Sequence, residues 1–162
     1  MRAEGEQMGV VTALVRSSFL VNAVYAESAR VHGLTPQQGQ LVCVLIARPY
    51  GMSELGTTLG LAKSSLTGLV DRTARRGLVR REPCQGDARA VLVALTEEGR
   101  DVAQRFHEGT TSRIEALPAA LTDAERTGLA ELLARIVRDN KVPLVFPATE
   151  EAPPLPAHVH VS

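Results

Sequence analysis

A chain of 162 residues, 44% hydrophobic and 22% charged, is long enough for one domain with its own core. Its 18 basic and 18 acidic side chains cancel, which argues against a general polycation that adheres to any acidic surface. Cys43 and Cys84 match neither a disulfide framework nor a Cys-x-x-Cys metal or redox spacing, no signal-peptide pattern opens the chain, and runs such as residues 31 to 47 are too polar for a membrane span, so a reduced, cytoplasmic protein with no membrane partner is expected.

From about Met8 to Val31, the residues Val11, Leu14, Val15, Phe19, Val21, Val24 and Tyr25 recur mostly in steps of three and four, which predicts a long, largely buried helix ended by Gly33. Thr35-Pro36-Gln37-Gln38 supplies an N-cap, a proline at the first helical position and a capping-box glutamine. A second helix is therefore expected to about Ala47, its run Leu41, Val42, Val44, Leu45 and Ile46 in the core. After the turn at residues 48 to 51, Leu55 and Leu59 stand four apart on a short helix, and Gly60-Leu61 breaks it before the next, as in a helix-turn-helix.

In that next helix Leu66, Leu69, Val70 and Thr73 share one face, while Ser64, Gly68, Asp71, Arg72 and Arg75 point largely the other way. Gly77 stops it. The β-prone runs at residues 78 to 81 and 90 to 95, with a Gly-Asp turn signal between them, predict a hairpin that serves as the wing of a winged helix. Thr96, with Glu97 and Glu98 behind it, caps a helix towards Ala116. Pro118 breaks that helix, and the capping box at residues 122 to 125 opens a last one, whose stripe of Leu129, Leu132, Leu133, Ile136 and Val137 runs to about Asn140. Five prolines from Val142 onward exclude regular helix there; this tail is either free or docked through Leu144, Val145 and Phe146.

The fold class expected is mainly α with a small β-hairpin wing, as a single domain over residues 1–162. Its parts are N-terminal helices (8–47), a winged helix-turn-helix lobe (48–96), C-terminal helices (97–140) and a Pro-rich tail (141–162).

The neutral total hides a segregation. Residues 61 to 89 carry seven basic groups (Lys63, Arg72, Arg75, Arg76, Arg80, Arg81, Arg89) against three acidic ones, whereas residues 90 to 162 carry seven against eleven. One basic segment in a neutral chain is what selective attraction to phosphate looks like, because local positive charge releases counterions while acidity elsewhere limits indiscriminate adhesion. Ser64, Ser65, Thr67 and Arg72 are candidates for a major groove, Arg75 and Arg76 for phosphates, and Arg89 for the adjacent backbone or minor groove. Asp87, two residues before Arg89, is placed for a charge-assisted bond that orients the guanidinium. Arg80 and Arg81 suit a solvated strand face as well as DNA contact.

The stretch GDARAVLVALTEEGR resembles the wing and exit motif of the MarR family of bacterial winged-helix transcription regulators, an Asp-x-Arg wing followed by Leu-Thr-x-x-Gly-Arg. SSLTGLVDRTARRGLV is similar to that family's recognition helix and its glycine stop. The resemblance covers about Met8 to Asn140. It implies a homodimer in which the first and last helices of each subunit intertwine, presenting two recognition helices about 34 Å apart to a pseudo-palindromic operator on double-stranded DNA. It also implies a repressor released by a small aromatic or phenolic effector. Gly68 stands where the family is often basic and Thr73 where it often has leucine, which implies thinner groove contacts and looser helix packing.

Two other readings compete. One is a redox- or metal-responsive regulator, using Cys84 beside Arg80 and Arg81, or His158 and His160 in the tail. The other is a winged-helix protein-interaction module that binds an acidic partner instead of DNA. No nucleophile triad, carboxylate pair or phosphate loop has motif support, so neither enzyme activity, nor a cofactor, nor a resident metal is expected.

Overall fold

In the computed structural model, which describes residues 8 to 143 and residue 145, local side-chain chemistry sets where three of the six helices begin. At α2 (Pro36–Leu45) the Gln38 N–H donates to Thr35 Oγ1 at 3.2 Å and the Thr35 N–H donates to Gln38 Oε1 at 3.1 Å, so the capping box is closed in both directions. The box recurs at α6 (Asp123–Asp139) between Thr122 and Glu125. At α5 (Glu97–Glu115), Thr96 Oγ1 accepts from the Gly99 N–H at 2.9 Å. Each such cap contributes about 1 kcal/mol by satisfying N–H groups that a helix start leaves open.

The remaining elements are α1 (Val10–Val31), β1 (Tyr50–Gly51), α3 (Met52–Leu59), α4 (Lys63–Arg75), β2 (Val79–Cys84) and β3 (Asp87–Leu95). The three strands form one antiparallel sheet with β3 in the middle, in the order β1-β3-β2. Strand β1 has no counterpart in the sequence reading, because two residues carry no alternation; it exists through its register with β3, Tyr50 opposite Val93. Pro83 lies in β2, an edge strand where its missing N–H is tolerated, and the ladder shifts register just after it.

The core joins Leu41, Val42 and Leu45 of α2, Leu55 of α3, Leu66, Leu69 and Val70 of α4, Val93 of β3 and Phe106 of α5. Gly39 is required there: a Cβ on it would lie 2.5 Å from Phe106 Cζ, so the ring occupies the place of a side chain on α2. Thr73 is fully buried, and its hydroxyl donates to the Leu69 carbonyl at 2.8 Å, so no buried polar group is left open there.

One expectation is overturned. Helix α1 is not largely buried: only Ser28 and Ala29 are, while Val10 and Phe19 are 70% and 72% exposed. Periodicity reports that a helix has an apolar face, not what covers it, and within one chain only the C-terminal end of α1 reaches α5. There Ser28 and Thr110 share a buried hydroxyl–hydroxyl bond of 2.6 Å. The stripe on α6 is exposed in the same way, with Leu132 57% accessible and no residue of the helix buried. By length and composition alone α1 also suffices to cross a bilayer, the one such helix among the described residues. Leu144, Phe146 and the tail histidines His158 and His160 lie outside the described residues.

Candidate nucleic-acid interface

Helix α4 follows α3 after a break at Gly60, which takes φ +64°, a left-handed conformation that glycine adopts without strain. Its apolar face, Leu66, Leu69 and Val70, is locked into the core. That leaves Ser64, Ser65, Arg72 and Arg75 exposed together on the outer side. The structure thus brings together four of the expected groove-facing and phosphate-facing residues on one surface. Lys63, counted only as charge in the sequence reading, joins them: it is the first residue of α4 and exposed beside Ser64. Its place one step before the serine pair was the available signal.

Three candidates are placed differently from expectation. Thr67 is half-buried and its hydroxyl donates back to the Lys63 carbonyl at 2.8 Å, so a groove contact requires that bond to be given up. Arg76, exposed like Arg72 and Arg75, also reaches back to α2, its Nη1 donating to Gln38 Oε1 at 3.0 Å, which ties the end of α4 to the capping box of α2. Asp87 holds Arg89 through the main chain, not through its guanidinium: the Arg89 N–H donates to Asp87 Oδ1 at 3.0 Å. A two-residue separation folds the carboxylate back onto the backbone more easily than onto a long extended side chain.

The wing itself turns at residues 85 and 86, where Gly86 has φ +95°. Arg89 is exposed on β3, and no ion pair engages it among the described residues; the same is true of Arg72 and Arg75. Arg81 and Arg80, by contrast, are paired. Arg81 Nη2 lies 2.7 Å from Asp71 Oδ1 on α4, and Arg80 Nε donates to Glu82 at 3.2 Å while its Nη1 donates to the Leu95 carbonyl at 3.0 Å. The Arg81–Asp71 pair braces β2 against α4, and Arg80 ties β2 to β3.

The base of the wing is fixed to α5 by a close approach. A Cβ on Gly99 would fall 1.7 Å from the Leu78 carbonyl oxygen, and Thr96 Oγ1 donates to the Gly77 carbonyl at 2.5 Å. The Thr-x-x-Gly spacing therefore has a mechanical meaning: the threonine caps α5 and the glycine lets α5 seat directly on the start of β2.

Cys84 lies half-buried near the wing tip, its Sγ 3.7 Å from the Gln85 carbonyl oxygen. Among the described residues no group of three His, Cys, Asp or Glu side chains is placed to hold a metal ion.

Comparison with known proteins agrees with this architecture. A model of the MarR family matches residues 32–90. The HTH-type transcriptional regulator PecS of Dickeya dadantii is 29% identical over 135 residues, covering 81% of each chain. The homoprotocatechuate degradative operon repressor of Escherichia coli is 26% identical over 126 residues, covering 77% of this chain and 85% of its own. Among solved structures, the transcriptional repressor CouR bound to a 23-mer DNA duplex superposes with a TM-score of 0.69 at 26% identity, over 85% of this chain and 99% of that one. These relatives are regulators of transcription. With the capped α5 on its glycine seat, the Asp-x-Arg wing and the helix-turn-helix all in place, the chain has the winged helix-turn-helix fold and is similar to regulators of the MarR family, whose model it matches over residues 32–90.

Proposed function

We propose that this protein is a homodimeric transcription repressor that binds a pseudo-palindromic operator and is released by a small-molecule effector. The observation that carries the DNA-binding part is the outer face of α4, where Lys63, Ser64, Ser65, Arg72 and Arg75 are exposed together beside a wing whose Arg89 has no acidic partner among the described residues. Cations left unpaired on a surface that also carries braced ion pairs are available to phosphate. On this reading Ser64, Ser65 and Arg72 meet base edges, Arg75 and Lys63 meet phosphates, and Arg89 enters the minor groove. Arg76 serves as a brace to α2, and Asp87 shapes the wing. The likeness to a repressor described on a DNA duplex supports the same assignment.

Dimerisation follows from what α1 and α6 leave uncovered. Val10, Val11, Leu14, Val15 and Phe19 on the first helix and the Leu129 to Val137 stripe on the last are all substantially exposed. Contiguous apolar surface of this extent on a single chain marks an interface. Covering it with a second copy intertwines the two terminal helices and spaces the two α4 helices for one DNA turn. A bilayer is the weaker partner for α1, because Arg16, Ser17, Ser18 and Asn22 place polar side chains among its apolar ones near the middle of the helix.

Electrophoretic mobility shift with the upstream intergenic duplex tests the DNA assignment. Binding that weakens steeply with salt is expected; absent or salt-insensitive binding refutes it in favour of a protein-interaction module. Size-exclusion chromatography with light scattering tests the dimer: the parent chain should run at twice its 17.3 kDa and Phe19→Asp should shift it towards the monomer.

A further inference from the structure

Seven basic and three acidic side chains lie between residues 61 and 89, and all three acidic groups are engaged. Glu82 pairs with Arg80, and Asp87 accepts the Arg89 N–H. Asp71 is the one that stands on α4 itself. Helical spacing sets it in the row Ser64, Gly68, Asp71 and Arg75, opposite the buried Leu66, Leu69, Val70 and Thr73, so its carboxylate lies on the candidate DNA-facing surface. A carboxylate there repels phosphate.

Its pairing is not the one its own helix offers. Asp71 precedes Arg75 by four residues, the separation and the order in which an acidic and a basic side chain pair best within a helix. It pairs instead with Arg81 of β2, whose Nη2 lies 2.7 Å from Asp71 Oδ1. The strand supplies the reason. Arg81 stands opposite Val93 and two residues after Val79, both buried, so it is carried on the sheet face turned towards the core and reaches α4 from the edge. Arg75 is left, like Arg72, without an ion pair among the described residues. Both members of the Arg81–Asp71 pair are exposed, 39% and 49% accessible, and a pair so exposed contributes little to stability. Its larger consequence is which arginines of α4 remain free.

We infer that Arg81 is a positioning residue for DNA binding: by holding Asp71 it withholds that carboxylate from Arg75 and leaves Arg75 for phosphate. The inference rests on the DNA-binding reading above and adds to it a residue that need touch no DNA. Without the Arg81 guanidinium, Asp71 turns to Arg75 one helical turn away, and a cation of the interface is neutralised.

Mobility shifts with the upstream intergenic duplex at several salt concentrations test this on the full chain, comparing the parent with Asp71→Asn, Arg81→Ala and the double variant. Arg81→Ala should bind about tenfold more weakly than the parent, with a salt slope lower by about one. Asp71→Asn should bind at least as tightly as the parent. In the double variant the loss should vanish, leaving affinity within about twofold of Asp71→Asn, because no carboxylate remains to be withheld. Should circular dichroism show Arg81→Ala to be misfolded, Arg81→Gln, which removes the charge and keeps most of the side chain, takes its place in the comparison. An equal or larger loss from Arg81→Ala in the Asp71→Asn background makes Arg81 a direct phosphate contact and overturns the inference. Weaker binding by Asp71→Asn makes the pair a brace alone and overturns it too, as does parental affinity in Arg81→Ala. A parent chain that shifts no duplex at any salt concentration refutes the DNA-binding reading and the inference with it, whereas the other outcomes bear on Arg81 alone.

Discussion

The guanidinium of Arg72 lies over Gly68: a Cβ built on the glycine would come within 3.1 Å of Arg72 Nη1. The missing side chain on the outer face of α4 and the arginine one turn later are therefore a single feature, in which the longer residue occupies space that the shorter one vacates. Gly68→Ala should displace the flexible end of Arg72 and remove a poor helix former. Thermal denaturation should show a gain of roughly 0.5–1 kcal/mol. Operator affinity should change at the base step that Arg72 faces and little elsewhere, which a panel of single-base operator variants would read.

Arg89 and Asp87 make separable contributions. Arg89→Ala removes an unpaired cation and should lower operator affinity by about tenfold or more, reducing the salt slope by about one, with dimerisation unchanged. Asp87→Ala leaves that cation in place and removes only the acceptor of the Arg89 N–H, so its effect on affinity should be smaller. Mobility shifts at several salt concentrations compare the two. Equal affinity of Arg89→Ala and the parent chain would refute the wing assignment.

Gly99→Ala places a methyl where the Leu78 carbonyl oxygen already sits, and that oxygen accepts the Thr96 N–H at 3.1 Å. Backbone lies on the far side of the contact, so the strand and α5 must separate. A loss of about 2–4 kcal/mol in urea unfolding is expected. A neutral Gly99→Ala would mean that α5 does not seat on the wing as described.

The two cysteines should differ in reactivity. Burial lifts the Cys43 thiol from its ordinary 9.0 to about 12, so at pH 8 it is not a thiolate and is shielded as well. Iodoacetamide under native conditions, read by mass spectrometry, should label Cys84 and spare Cys43. The sign of the linked pH effect is set by the same shift. Below about pH 9 folded and unfolded chains both hold the proton, and as pH rises towards 12 the unfolded chain releases it first, so stability falls. Cys43→Ala should flatten that part of the alkaline decline.

Much of the fold is legible in the sequence because its signals are local. Thr35 with Gln38 and Thr122 with Glu125 close their boxes within four residues, and the apolar positions of α4 are ordered by helical period alone. The Asp87-x-Arg89 wing and the Thr96-x-x-Gly99 exit were equally readable as a pattern, and the family resemblance with them. What a pattern does not carry is direction and partnership. Whether Arg76 points outward or back to Gln38, whether Asp87 meets a guanidinium or an N–H, and whether Arg81 is free or paired with Asp71 depend on groups 2 to 38 residues away whose distances the tertiary structure sets. Burial of α1 was misjudged for the same reason, since an apolar stripe looks alike whether its cover comes from its own chain or from outside it. The sequence by itself determined the helices, the hairpin and the family resemblance; only the tertiary structure decided that Tyr50 and Gly51 add a third strand, which cations are left unpaired among the described residues, and which apolar faces stand uncovered, because each is a balance among groups that only folding brings together.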